Sequence, residues 1–222
     1  MIYLATKPPP PGIVYFLGRG IYCSLTNEPI GLPLLTSRGR GFSLGKDSQF
    51  SKLQDGFKPS AEDILSAVQP CIDNPLDFDP RVTFAGYGDP LAEFETLCKT
   101  AELITTSNPD TRLSIGVNTN GIILNDVGAE ETTKRLKASN ISRVSVALNY
   151  DRAKDYRDMM WPPASVPDAF GSVCNFIQTL TNEGGIEVSV SVVNNNIANV
   201  DGVKKLAASL GCDNVRVRSF FA

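Results

Sequence analysis

Two periods of apolar residues take turns along this chain. "GIVYFL" (12–17) and "GIYCSL" (20–25) are short β-branched and aromatic runs on either side of Gly18 and Arg19, a pattern that predicts a β-hairpin. A long loop follows. In "SAEDILSAV", Ser60 and Asp63 then have capping-box spacing, and Ile64, Leu65 and Val68 share a helical face. "RVTFAG" (81–86), "LSIGVN" (113–118), "RVSVALN" (143–149), "IEVSVSVV" (186–193) and "NVRVRSF" (214–220) read as further strands.

Helical patterns fill the gaps between these strands. Asp89 and Pro90 read as a cap and a first helical position, ahead of a stripe at Phe94, Leu97, Cys98, Ala101 and Ile104. A weaker helix is expected over 129–137. Ser165 is the expected cap of a helix carrying Phe170, Val173, Cys174, Ile177 and Leu180, and Val203, Leu206, Ala207 and Leu210 mark the last helix. "DRAKDYRDMMWPP" (151–163) reads, on its residues alone, as a charged loop with a Met-Trp plug.

Strands that alternate with helices at βαβ spacing predict a parallel sheet in an α/β domain. Periodicity leaves an open doubly wound sheet and a curled partial barrel equally available. The strand faces favour the barrel. Ser114, Gly116 and Asn118 form a small-and-polar row. So do Ser145, Ala147 and Asn149, then Glu187, Ser189 and Ser191, then Arg216 and Arg218. A sheet covered by helices on both faces is apolar on both, so one polar face implies a wetted concave interior.

Composition narrows the chemistry. The chain has 222 residues and a net charge of -3, which argues against a basic nucleic-acid surface. No apolar run approaches the roughly 20 residues that span a bilayer, and the start has too short an apolar run for a secretory signal. The expectation is a protein of the cytoplasm or an organelle matrix. Residues 1–12, with prolines at 8–11, read as a stiff arm before a single domain over 13–222. Histidine is absent, which removes histidine-based nucleophilic catalysis and histidine metal sites. The five cysteines, at 23, 71, 98, 174 and 212, are too widely spaced for a metal or disulfide framework.

Ligands of α/β folds bind at the C-terminal strand ends. Here those ends carry "GYGDP" (86–90), "NTNG" (118–121), "ALNY" (147–150), "NNN" (194–196) and the pair Arg216 and Arg218. The set is rich in amides, glycines and arginines and poor in acids and bases. It reads as a holder for a polar small molecule. Each piece also has a plainer reading as a turn, a cap or a solvated edge.

The order of these pieces resembles the radical S-adenosylmethionine (SAM) superfamily, and within it the TatD-associated radical SAM proteins. The likeness is carried by "YCSLTN", "VTFAGYGDPL", "VNTNG", "VSVALNYDRAKDYRDMMWPP" and "KKLAASLGCDNVRVRSF", spread over about residues 13–220. It implies a partial (β/α)6 barrel of TIM type, preceded by a short hairpin, with SAM across the strand ends. By resemblance, Gly86, Tyr87, Gly88 and Asp89 would receive the ammonium of the methionine moiety, with Asp where the family usually has Glu. Asn149 would lie near the ribose, with Ala147 where a serine is common. Asn118, Asn120 and Arg218 complete the candidate cofactor-binding set, and no catalytic residue is assigned.

The opening loop departs from the family. The family carries Cys-x-x-x-Cys-x-x-Cys after its first strand. Counted from Thr26-Asn27-Glu28, those places hold Pro29, Pro33 and Thr36, and Arg38 matches a common following arginine. A [4Fe–4S] cluster needs thiolate ligands, which this loop lacks. Three functions remain open. The first is a cluster-free descendant that binds SAM or a nucleoside, or serves as a scaffold. The second is a radical SAM enzyme with atypical or partner-supplied ligands, and the third an unrelated barrel lyase or isomerase. The last strand, Arg216–Ala222, is an apolar edge expected to meet a protein partner or a second copy.

Overall fold

The computed structural model describes residues 11–124 and 128–222. The first ten residues, and with them most of the proline arm, lie outside that range. Strands β1 (Val14–Leu17) and β2 (Gly20–Cys23) form the hairpin, pairing antiparallel with Leu17 opposite Gly20. The long loop after β2 contains one helical turn, α1 (Leu34–Ser37). Helix α2 (Ala61–Ile72) starts at the full Ser60–Asp63 capping box.

The chain then alternates: β3 (Arg81–Phe84), α3 (Phe94–Ser107), β4 (Ser114–Thr119), α4 (Gly128–Ala138) and β5 (Ile141–Ala147). Two consecutive helices follow, α5 (Ala153–Met160) and α6 (Ala169–Glu183). Then come β6 (Glu187–Asn194), α7 (Val200–Ser209) and β7 (Val215–Ser219). One sheet holds all seven strands in the order β1-β2-β3-β4-β5-β6-β7, parallel from β2 onward. It curls into the expected partial barrel.

The core lies outside the curl. Val82, Phe84, Ile115, Val117, Val144, Val146, Val190 and Val192 are buried, as are the helix stripes of Leu97, Ala101 and Ile104 and of Phe176, Ile177 and Leu180. The opposite face of the same strands carries the polar rows. Gly116 sits there for a spatial reason: a Cβ would come within 3.0 Å of the Arg143 guanidinium, which crosses over it to bond Ser114.

Three local expectations are corrected. Asp168, not Ser165, caps α6, with its carboxylate accepting from the Gly171 N–H at 3.0 Å. Pro167 disfavours helical backbone at Val166, so a helix cannot run from Ser165. Segment 151–163 is helical over Ala153–Met160 rather than loop throughout. Tyr156 and Met160, four residues apart, are fully buried from α5, whereas Trp161 is 66% exposed in the left-handed cap position. Asp89 does act as a cap, but the turn it starts (Pro90–Glu93) is a 3-10 helix and α3 proper begins at Phe94.

Candidate functional site

The loop after β2 is clamped against the strand ends along its first half. Asn27 fixes its base: the side-chain amide donates to the Leu53 carbonyl (2.8 Å) and its oxygen accepts from the Leu53 N–H (3.1 Å). The Gly88 N–H donates to the Thr26 carbonyl (3.1 Å) and the Asp89 N–H to the Glu28 carbonyl (3.0 Å). This approach explains Gly88, because a Cβ there would be 2.5 Å from the Thr26 oxygen and 2.7 Å from the Glu28 nitrogen. The Asn120 amide donates to the carbonyls of Ile30 (2.7 Å) and Leu32 (3.0 Å), and the Leu32 N–H donates to the Met160 carbonyl (2.7 Å).

Asp89 is the post at which these ties converge. Its carboxylate is 5% exposed. Oδ1 accepts from the Leu91 N–H (3.0 Å) and the Thr119 hydroxyl (2.7 Å), and Oδ2 accepts from the Asn120 N–H (2.7 Å). Burial raises its pKa above the usual carboxylate range, against the pull of these donors. Its oxygens hold the β3 and β4 ends together.

The second half of the loop crosses the barrel mouth and meets the chain's last residues. The Arg38 Nε donates to the Ser219 carbonyl (2.8 Å), and the Phe221 N–H donates to the Arg38 carbonyl (2.8 Å). The Arg38 guanidinium lies over the rings of Phe42 (4.3 Å) and Phe221 (5.6 Å). Gly39, at φ +96°, has the Phe221 carbonyl where a Cβ would stand. This seam partly covers the end of the β7 edge, while Val217, Phe220 and Phe221 stay substantially exposed.

Beneath this loop lies an open cleft of about 180 Å3. Its floor is the inner face of the strand ends: Ala85, Gly86, Asn118, Ser145, Ala147, Asn149, Ser191 and Arg218. The hairpin adds Tyr15 and Tyr22, and the loop adds Leu34, Leu35, Ser37, Arg38 and Phe42. Among the described residues, neither a carboxylate nor a lysine lines it. Asn149, at φ +54°, is anchored by the Val193 N–H on its Oδ1 (2.9 Å).

The candidate residues therefore fall into two groups. Gly86, Asn118, Asn149 and Arg218 line the cleft. Tyr87, Gly88, Asp89 and Asn120 line a neighbouring narrow seam, together with Pro29 and Pro33 of the loop. Ser37 and the hairpin tyrosines join the cleft without having been singled out from the sequence, and Arg38, marked there only as the match to the family's following arginine, joins it too. Ser145 and Ser191 had shown a signal as members of the polar rows.

Among the described residues, no group of three or more His, Cys, Asp or Glu side chains is arranged to hold a metal ion. Cys23, next to the loop, is buried in the core on the far side of β2 from the cleft, and burial pushes its thiol well above the usual range. No described helix is long and apolar enough to cross a membrane.

Comparison with solved structures places this geometry. SuiB from Streptococcus suis bound to S-adenosylmethionine superposes with a TM-score of 0.62 at 13% identity, over 93% of this chain and 42% of that one. The radical S-adenosylmethionine methyltransferase TsrM from Kitasatospora setae, with cobalamin and a [4Fe-4S] cluster bound, gives 0.59 at 11%, over 89% and 36%. The fold is that of the radical SAM enzymes. The FeFe-hydrogenase maturase HydG from Carboxydothermus hydrogenoformans gives 0.60 at 16% identity, over 90% and 44%. The chain thus spans less than half the length of each of the three. No protein-family model matches the sequence, and no curated protein is similar to it in sequence.

Proposed function

We propose that this chain is a radical-SAM-type barrel, of the TatD-associated subgroup, that works without an iron–sulfur cluster. Its strand-end cleft binds a nucleoside-type small molecule, SAM or a relative of it, and the domain acts as a binding or scaffold unit. The observation that carries this reading is the clamped loop. Pro29 and Pro33 offer no side-chain donor, Thr36 is exposed and offers a hard hydroxyl, and no thiol of the chain belongs to the loop. The donor set does not fit a [4Fe–4S] cluster. The reductive cleavage of SAM is chemistry that such a cluster supplies, not the protein.

The cleft lining supports binding over another catalysis. The amide of Asn118 and the hydroxyls of Ser145 and Ser191 suit the edges of a base and a ribose, while Asn149 shapes the floor with its amide held by the Val193 N–H and Met160 Sδ. A Schiff-base or proton-abstracting barrel enzyme needs a lysine or a carboxylate at that place, and the lining has neither.

Anaerobic reconstitution with iron and sulfide, followed by iron analysis and assay for 5′-deoxyadenosine, tests the first half. The expected product is colourless, with far less than one iron per chain and no 5′-deoxyadenosine. A brown protein that cleaves SAM overturns the reading. Calorimetry with SAM, S-adenosylhomocysteine and adenosine tests the second half.

A further inference from the structure

We propose that the cleft is built for an anionic ligand, and that the class it takes is a nucleoside phosphate rather than a cationic sulfonium nucleoside. This rests on the reading of the cleft as a nucleoside site. It departs from SAM as the occupant.

The first argument is the charge of the lining. Arg38 and Arg218 both line the cleft, and among the described residues no Asp or Glu does. Deeper on the same inner face, Arg143 and Arg216 accompany a single acid, Glu187. The chain as a whole carries -3, so this positive strip is local. A concave surface lined by one sign of charge concentrates the field on a ligand of the other sign.

The second argument is that these guanidiniums are short of partners. Among the described residues, the Arg218 side chain has no hydrogen bond or ion pair. Arg38 uses only its Nε, on the Ser219 carbonyl, so both terminal nitrogens stay available. Burial, and then the like charge of Arg218, lower the pKa of Arg38. Two like charges held at one cavity without a carboxylate are relieved by an anion between them, and a phosphate matches the fork of a guanidinium.

The third argument concerns the acid that a cationic ligand would want. Asp89 is the only carboxylate among the candidate binding residues. It is buried, and all three of its accepted hydrogen bonds come from the chain itself. An ammonium or sulfonium would enter a cleft with two cations and no available anion. A neutral base and ribose, by contrast, meet Asn118, Ser145 and Ser191, with the Tyr22 and Phe42 rings nearby.

Calorimetry on the full chain at low ionic strength, with adenosine monophosphate, adenosine, SAM and inorganic phosphate, tests the assignment. The expected result is that the monophosphate binds about tenfold or more tighter than adenosine, with SAM weaker than both. Arg218→Gln should erase the preference for the phosphate, the affinity of the monophosphate falling to that of adenosine. Arg112→Gln, an exposed arginine outside the cleft, should change neither. Circular dichroism reports whether the variants fold, and Arg38→Gln is the second cleft variant if Arg218→Gln does not. Adenosine or SAM binding at least as tightly as the monophosphate overturns the anion assignment and leaves the nucleoside reading standing. Inorganic phosphate binding as tightly as the monophosphate overturns both, as does the absence of binding by all four.

Discussion

The Asp89 carboxylate accepts a 2.7 Å hydrogen bond from the backbone N–H of Asn120, and the Asn120 side chain in turn holds the carbonyls of Ile30 and Leu32. Two residues at neighbouring strand ends thereby fix the loop that roofs the cleft. Both are polar and buried; Asp89 accepts only from the chain itself, and the Asn120 amide nitrogen is spent on the loop while its oxygen has no partner among the described residues. In this protein they act as fasteners for the loop.

Asp89→Asn keeps the shape but offers an N–H2 to one of three donors. It should lower stability by about 1–3 kcal/mol at neutral pH, the cost of a buried donor left unpaired. The pH dependence has a definite sign. The folded pKa of Asp89 lies above its unfolded value near 3.9, so the native state binds more protons between the two. The stability of wild type relative to Asp89→Asn should therefore be greatest below the unfolded pKa. It should fall as pH rises through the folded pKa and then level off. Urea denaturation of both proteins from pH 3 upward checks this.

Asn120→Ala strands two buried carbonyls. A loss of about 2 kcal/mol is expected. The amides of Leu32, Gly88 and Asp89 should exchange with deuterium faster, while those of β5 and β6 stay protected. Uniform acceleration across the sheet would show a global defect rather than a released loop.

Gly39→Ala places a Cβ on the Phe221 carbonyl at a backbone angle that L-residues avoid. The seam between the loop and the C-terminal residues should open. The amides of Gly41 and Phe221, which bond across it, should then exchange with deuterium markedly faster than in wild type, with the core transition in urea little changed.

The five thiols give a further check. Cys23, Cys98 and Cys212 are buried, and Cys71 and Cys174 half-buried. Burial raises all five, Cys174 to about 11. Native protein at pH 7 should react slowly with a disulfide reagent, at Cys71 and Cys174 only, and faster as pH rises because the thiolate is the nucleophile. All five should react in denaturant. Rapid native labelling of Cys23 would contradict its place in the core.

Much of the site's floor was legible along the strands. The alternation of Ser145, Ala147 and Asn149 with Val144 and Val146 separates a wet face from a dry one, because successive side chains point to opposite sides of a strand. The capping box at Ser60 and Asp63 was equally legible, since its partners are three residues apart. Asp89 was legible only in part. Its cap on the Leu91 N–H is local, but the two other donors that occupy its carboxylate sit 30 and 31 residues away. Helix α5 was obscured because its two buried residues, Tyr156 and Met160, lie among charges that look like a loop.

By itself the sequence determined the alternation of strands and helices, the polar inner face, and a loop without thiols in the place where the resemblance expects them. These follow from residue identity and local period. Only the tertiary structure decided that Arg38 and Ser219, 181 residues apart, meet across the barrel mouth, and that Arg38 and Arg218 share a cleft with no acid. Curling the sheet brings its distant strands to one opening, and no local pattern encodes which charges that curvature gathers there.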